Sequence, residues 1–178
     1  HPLIGFCLAP HAPYTVADAT IERLVTLAAQ LNIPIHCHVH ETRHEVDESR
    51  RLHGLTPLAR LKRLGLLGPG FIGVHCVHLA DEDLELLAAT GCSVAHCPTS
   101  NLKLASGIAP VARMRQLGIN VGLGTDGAAS NNRLDMFGEM RLAALLAKGC
   151  SGDATTLPAR EALRMATLDG ATALGLGN

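Results

Sequence analysis

"IPIHCHVHETRHEV", residues 33–46, decides how the chain is read. Its second half contains His40-Glu41-Thr42-Arg43-His44, the H-E-x-x-H string of zinc proteases. That string works only on a helix, where two imidazoles one turn apart share a face. Its first half, Ile33 to Val39, is a strand pattern, and the two-residue period sets His36, His38 and His40 on one side. His40 and His44 then straddle a strand end and the start of a loop or helix, the wrong geometry for a protease. Asp47 also stands where the longer protease motif requires Gly. What suits a strand end is His38 with Glu41. A histidine there can ligate a metal, and a carboxylate three residues on can shuttle protons for the metal's water. The plainer alternative is three histidines lining a polar core, a costly arrangement without partners.

Working outward, short apolar runs alternate with longer amphipathic segments. Strands are expected at residues 3–10, 33–39, 71–77, 92–97 and 120–126. Between them Ile21, Leu24, Val25, Leu27 and Ala28 form a helical stripe, with Thr15 and Asp18 as its capping box. Thr56-Pro57 opens another helix, and Gly91 and Gly118 close two more. "LDMFGEMRLAALLAKG" and "LPAREALRMATLDGATALG" read as helices. Near-continuous apolar strands joined by helices mean a parallel α/β sheet with right-handed crossovers. Either a doubly wound sheet or part of a (β/α)8 barrel satisfies that pattern.

The polar residues favour the barrel. His11, His38, Glu41, His75, His96 and Asp126 fall at or just beyond the C-terminal ends of the expected strands. That rim is where a barrel gathers one site from many strands. The first strand is followed by "APHAPYT", which is no Gly-rich phosphate turn of a doubly wound fold.

Composition narrows the partners. The 178 residues carry a formal charge of −1, no Trp, one Tyr and three Phe, so neither a basic patch nor a stacking platform for nucleic acid exists. No apolar run reaches membrane-spanning length and no membrane association is expected. Six cysteines without a C-x-x-C pair, most inside strand-like runs, suit reduced core thiols and a cytoplasmic setting.

Within the fifth run, Gly122, Gly124 and Asp126 share one face, so the glycines would leave space beneath a carboxylate able to ligate metal or take a proton. Capping of the following turn is the plain reading of Asp126. Of His75 and His78, one is expected to face the centre and the other to bond a loop. His96 reads as a core histidine, His36 as support for a ligand, and His1 and His53 as surface residues.

"APHAPYT", "HVHET", "VHCVHL", "AHCPTSNLKLASGIAPV" and "GTDGAASNN", in this order, resemble the amidohydrolase superfamily. Within it they look most like the 5-methylthioadenosine/S-adenosylhomocysteine deaminases, relatives of the triazine chlorohydrolases. The resemblance spans essentially the whole chain. It implies a metal-dependent (β/α)8 barrel of which strands 4–8 are present. Residues 1–178 would then be its C-terminal part, without the N-terminal strands and the flanking β-sandwich. It further implies one zinc ion per subunit, with iron or manganese as alternatives, held by His38 and Asp126. Asp126 would accept the proton of the attacking water, Glu41 would carry a proton to the purine ring, and His75 would polarise the nucleophile or intermediate. His11, Glu41 and Asp126 would contact a small nucleoside, and the protein would be a homo-oligomer. Two alternatives stay open: hydrolysis of guanine, triazine or another aminated or chlorinated heterocycle, and an inactive piece lacking the H-x-H metal ligands.

Overall fold

The structure, a computed structural model, describes residues 4–176, so the expectation for His1 lies outside the described residues. In chain order the elements are α1 (Asp18–Leu31), β1 (Ile35–Val39), α2 (Arg43–His53), α3 (Pro57–Arg63), β2 (Phe71–His75), α4 (Asp81–Thr90), β3 (Ser93–His96), α5 (Pro98–Lys103), α6 (Val111–Gln116), β4 (Asn120–Leu123), α7 (Ala128–Asn131), α8 (Met136–Ser151), α9 (Ala159–Ala166) and α10 (Leu168–Ala173). The strands form one parallel sheet in the order β1-β2-β3-β4. Ile35 pairs with Phe71, Ile72 with Ser93, and Ser93 with Asn120. All four strands therefore end at one edge, with their following residues side by side.

Four of the five expected strands are regular. The run at 3–10 is reduced to one bridge, Leu8 to Ile35. Pro10 and Pro13 have no N–H to donate, and Ile4 and Phe6 are exposed and bury nothing that would hold a longer ladder. The chain still hugs β1, since His38 N–H donates to the His11 carbonyl at 3.1 Å.

Ile35, Cys37, Val39, Phe71, Val94 and Val121 form the sheet's share of the core, against Leu58, Leu61, Leu84, Leu87 and Met114 from the helices. Each such side chain contributes about 1.5–3 kcal/mol by leaving water. Cys37, Cys76, Cys92 and Cys97 are buried and no disulfide forms among the described residues.

Local signals set most helix ends. Thr56 accepts a hydrogen bond from Ala59 N–H, with Pro57 in the first turn, and Gly91 ends α4 at φ +69°. The capping box expected at Thr15 and Asp18 does not form. The N-cap of α1 is Ala17, without a side-chain cap. The Thr15 hydroxyl donates to the Ala12 carbonyl instead, and Asp18 pairs with the buried guanidinium of Arg60. A charged hydrogen bond to a buried cation outweighs a cap.

The glycine expectation on β4 is also corrected. A Cβ on Gly122 would meet the Gly170 backbone at 3.0 Å, and one on Gly124 would meet Cys97 Sγ at 3.2 Å. The glycines allow close approach of α10 and of Cys97; they do not hollow out space beneath Asp126.

Candidate metal centre

The ends of β1, β2 and β4 leave the sheet through a left-handed backbone kink. His40, His75, Cys76 and Asp126 have φ of +55°, +72°, +48° and +59°. Left-handed backbone at non-glycine residues is strained and persists only where surrounding bonds enforce it.

At the end of β1, His38 Nδ1 lies 2.7 Å from the His11 carbonyl. A carbonyl only accepts, so Nδ1 carries the proton and Nε2 keeps its lone pair. His40 departs from the expected row of three histidines. It is fully buried, its Nδ1 donates to the His78 carbonyl at 2.8 Å, and its Nε2 accepts from Leu58 N–H at 3.1 Å. The left-handed turn at His40 swings its ring into the packing between β1, α3 and the loop after β2. His36 remains on the side of His38, their rings 6.2 Å apart.

The H-E-x-x-H string is split by the N-cap. Thr42 caps α2 by accepting from Glu45 N–H, so His40 precedes the helix while His44 is exposed on it. Glu45, buried, receives the N–H groups of His40 and Glu41 at 3.0 and 2.8 Å. Those bonds place the Glu41 backbone, and the Ser106 hydroxyl donates to Glu41 Oε1 at 3.2 Å.

At the end of β2, His75 Nδ1 lies 2.8 Å from Asn101 Oδ1, which again turns the Nε2 lone pair outward. That Nε2 is 3.7 Å from Glu41 Oε2. The rings of His38 and His75 stack 5.3 Å apart at 23°. His78, the other histidine of the pair, donates from Nε2 to the Ser106 carbonyl at 2.7 Å and so is the one of the two that serves a loop.

After β4, Asp126 Oδ2 accepts from Ser100 Oγ and Ser130 Oγ, both at 2.6 Å. Burial pushes this carboxyl up, but these two hydroxyls and the Gly127 N–H outweigh it and hold it below the usual carboxylate range. Asp126 is therefore a ready anion.

One ligand atom each from His38, His75 and Asp126 lies within 4.8 Å of the others. Imidazole nitrogen and carboxylate oxygen are donors that zinc takes, and ligands about 2.1 Å from one tetrahedral ion are ~3.4 Å apart. A group of this spread therefore suits a zinc-type ion held by His38 and Asp126 with His75 beside it. Cys97 next to Asp126 is no competing thiolate: burial, then the Asp126 and Glu139 charges, push its thiol up to about 12. His11 stands exposed at the mouth, its Nδ1 3.0 Å from Thr15 Oγ1 and its ring 5.2 Å from that of His38. His96 is kept apart on the core side, fully buried, and burial followed by the nearby His75 lowers it to about 4.

The structure thus brings His38, Glu41, His75 and Asp126 together, with His11 beside them and His96 outside. Reading the sequence passed over Ser100, Asn101, Ser106, Ser130, Glu45 and Glu139. For Ser100, Asn101 and Ser130 the signal was the density of Ser and Asn soon after β3 and β4; Ser106, Glu45 and Glu139 stand outside that cluster.

The sequence matches the amidohydrolase family over residues 3–178. It is 52% identical over 99% of its length to a 5-methylthioadenosine/S-adenosylhomocysteine deaminase from Teredinibacter turnerae, covering 40% of that protein. Among solved structures it resembles an adenosine deaminase from Xanthomonas campestris with bound zinc, at 54% identity and a TM-score of 0.97 over 99% of this chain and 40% of that one. It also resembles a zinc-containing atrazine chlorohydrolase from Arthrobacter aurescens, at 31% identity and a TM-score of 0.90 over 95% of this chain and 38% of that one. The chain spans about 40% of the length of the relatives it matches.

Proposed function

The chain belongs to the amidohydrolase family, its four-stranded parallel sheet part of a (β/α)8 barrel, and from that premise we propose that its complete gene product is a hydrolytic deaminase of 5-methylthioadenosine and S-adenosylhomocysteine. Amidohydrolases are metal-dependent, and zinc occupies related structures. In this reading one zinc ion, with iron or manganese as alternatives, is held by His38 and Asp126 together with ligands from outside residues 1–178, which form the C-terminal part of the barrel. When bound, the ion supplies Lewis acidity that lets water ionise near neutral pH.

The chain's own residues do the rest. Asp126, held anionic by Ser100 and Ser130, accepts the proton of the attacking water. Glu41, whose Oε2 stands 3.7 Å from His75 Nε2, carries a proton to the purine ring nitrogen. His75 presents an anchored Nε2 that polarises the nucleophile or the intermediate. His11 meets the nucleoside at the mouth. Water adds at the ring carbon bearing the amino group, and ammonia leaves after proton transfer, giving the inosine derivative. The observation that carries the reading is the convergence of His38, His75 and Asp126 within 4.8 Å, with Glu41 alongside. No helix among the described residues is long and apolar enough to cross a membrane; a homo-oligomer working on a small nucleoside remains part of the proposal.

The likeness to a chlorohydrolase supports a second reading, hydrolysis of another aminated or chlorinated heterocycle. Ammonia release by the complete gene product from 5-methylthioadenosine, S-adenosylhomocysteine, guanine and melamine separates the two. The adenosine compounds should be turned over fastest; turnover confined to guanine or melamine would favour the second reading.

A further inference from the structure

We propose that Glu139, which touches neither the metal-binding atoms nor the mouth of the site, is the positioning residue for Asp126 and His75. The inference rests on the reading that Asp126 and His38 hold the metal.

Glu139 lies in the first turn of α8 and is 2% exposed. Its hydrogen-bond partners are neutral: Thr99 N–H to Oε2 at 3.1 Å and Asn131 Nδ2 to Oε1 at 2.8 Å. Burying a carboxylate without a cation is costly, so its placement calls for a reason beyond packing. The two partners supply one. Thr99 immediately precedes Ser100, and Asn131 immediately follows Ser130. Those serines are the two hydroxyl donors to Asp126 Oδ2. One buried carboxylate therefore holds the backbone N–H next to one hydroxyl and the side-chain amide of the residue next to the other.

Two further bonds extend the grip. Asn131 Nδ2 also donates to the Thr125 carbonyl at 2.6 Å, the peptide that leads into the left-handed turn at Asp126. Asn101, on the same short turn as Thr99 and Ser100, accepts from His75 Nδ1. Segments after β3 and β4, far apart in sequence, are thus locked in register by a third element, and the lock fixes both the rotation of the Asp126 carboxylate and the direction of His75 Nε2. Glu45 does the equivalent work for Glu41, but directly, through that residue's own N–H. Groups that orient ligands in this way typically change metal affinity by about 10–100-fold when removed.

Glu139→Gln keeps the shape but turns an amide NH2 toward either Thr99 N–H or Asn131 NH2, donor against donor. The test uses the zinc-loaded complete gene product and follows zinc loss to a chelator with a colour indicator, so it does not depend on deaminase activity. Glu139→Gln should release zinc about tenfold faster or more, and Ser100→Ala should also accelerate release. Because both act through Asp126, the double variant should stay within about twofold of the faster single. In the cobalt-substituted protein, Glu139→Gln should shift the visible ligand-field bands, which a merely structural role would leave in place. Zinc loss within about twofold of the unsubstituted protein, multiplicative effects of the two substitutions, or an unchanged cobalt spectrum would overturn the proposal. If Glu139→Gln does not fold, Asn131→Ala decides in its stead, with faster release expected and an unchanged rate overturning. Zinc held as described, without turnover of any adenosine compound, would sink the deaminase reading and leave this one standing. A complete protein that binds no zinc sinks both.

Discussion

Glu41 and His96 show how a side chain's chemistry depends on its surroundings. Glu41 is only partly buried, carries a hydroxyl donor from Ser106 and faces the His75 ring. Its assigned work is proton transfer, so Glu41→Gln should lower kcat by about 10²–10⁴-fold while zinc content stays at the unsubstituted level; loss of the metal with the activity would make it a ligand instead. His96 sits in the opposite setting, buried, its Nδ1 without a hydrogen-bond partner among the described residues. An unfolded imidazole takes its proton near pH 6.5, whereas burial, then the neighbouring His75, holds folded His96 neutral down to about 4. Between those values the unfolded chain binds more protons, so stability falls as pH drops below about 6.5, and this loss is complete below about 4. From pH 7 to pH 5 the loss is about 2 kcal/mol, and His96→Asn should remove it, as urea unfolding at the two pH values would register. His38, Glu41, His75 and Asp126 were legible because they close strand-like runs. Ser100, Ser130 and Asn101 were not, because their partners are fixed by left-handed turns at His75 and Asp126, which no glycine announces.

At the scale of elements, signals carried by adjacent residues survived into the structure and those overridden from afar did not. Thr56-Pro57 and Gly91 begin and end helices where their chemistry says they should. The Thr15–Asp18 box failed because Asp18 answers to Arg60, a residue on α3. His40 failed for the same reason, drawn out of the strand's alternation by the Leu58 N–H and the His78 carbonyl. Gly122 carries an element-level consequence. Its bare Cα lets the α10 backbone come close, and Gly122→Ala would set a Cβ 3.0 Å from Gly170 Cα. Backbone cannot step aside as a side-chain tip can, so overpacking should cost about 1–3 kcal/mol. Thermal unfolding would read the cost as a lowered midpoint; an unchanged midpoint would mean that α10 is not held against β4.

For the molecule as a whole, strand-to-strand spacing indicated a parallel sheet but left its closure open, and only the clustering of polar residues at one edge pointed to a barrel rim. The sheet leaves β4 paired on one side only among the described residues. Phe6, Leu134, Phe137 and Leu176 are more than half exposed. Unpaired strand edges and exposed apolar side chains invite association, so the 178-residue chain by itself should sediment as oligomers or aggregates and release no ammonia. A monodisperse, active monomer would count against the barrel account. The central claim, that His38 and Asp126 bring a catalytic metal to the strand ends beside Glu41 and His75, is tested most directly by metal content. Measured by elemental analysis on the complete gene product, the unsubstituted protein should hold about one zinc per chain and His38→Ala close to none; equal occupancy in the two would contradict it.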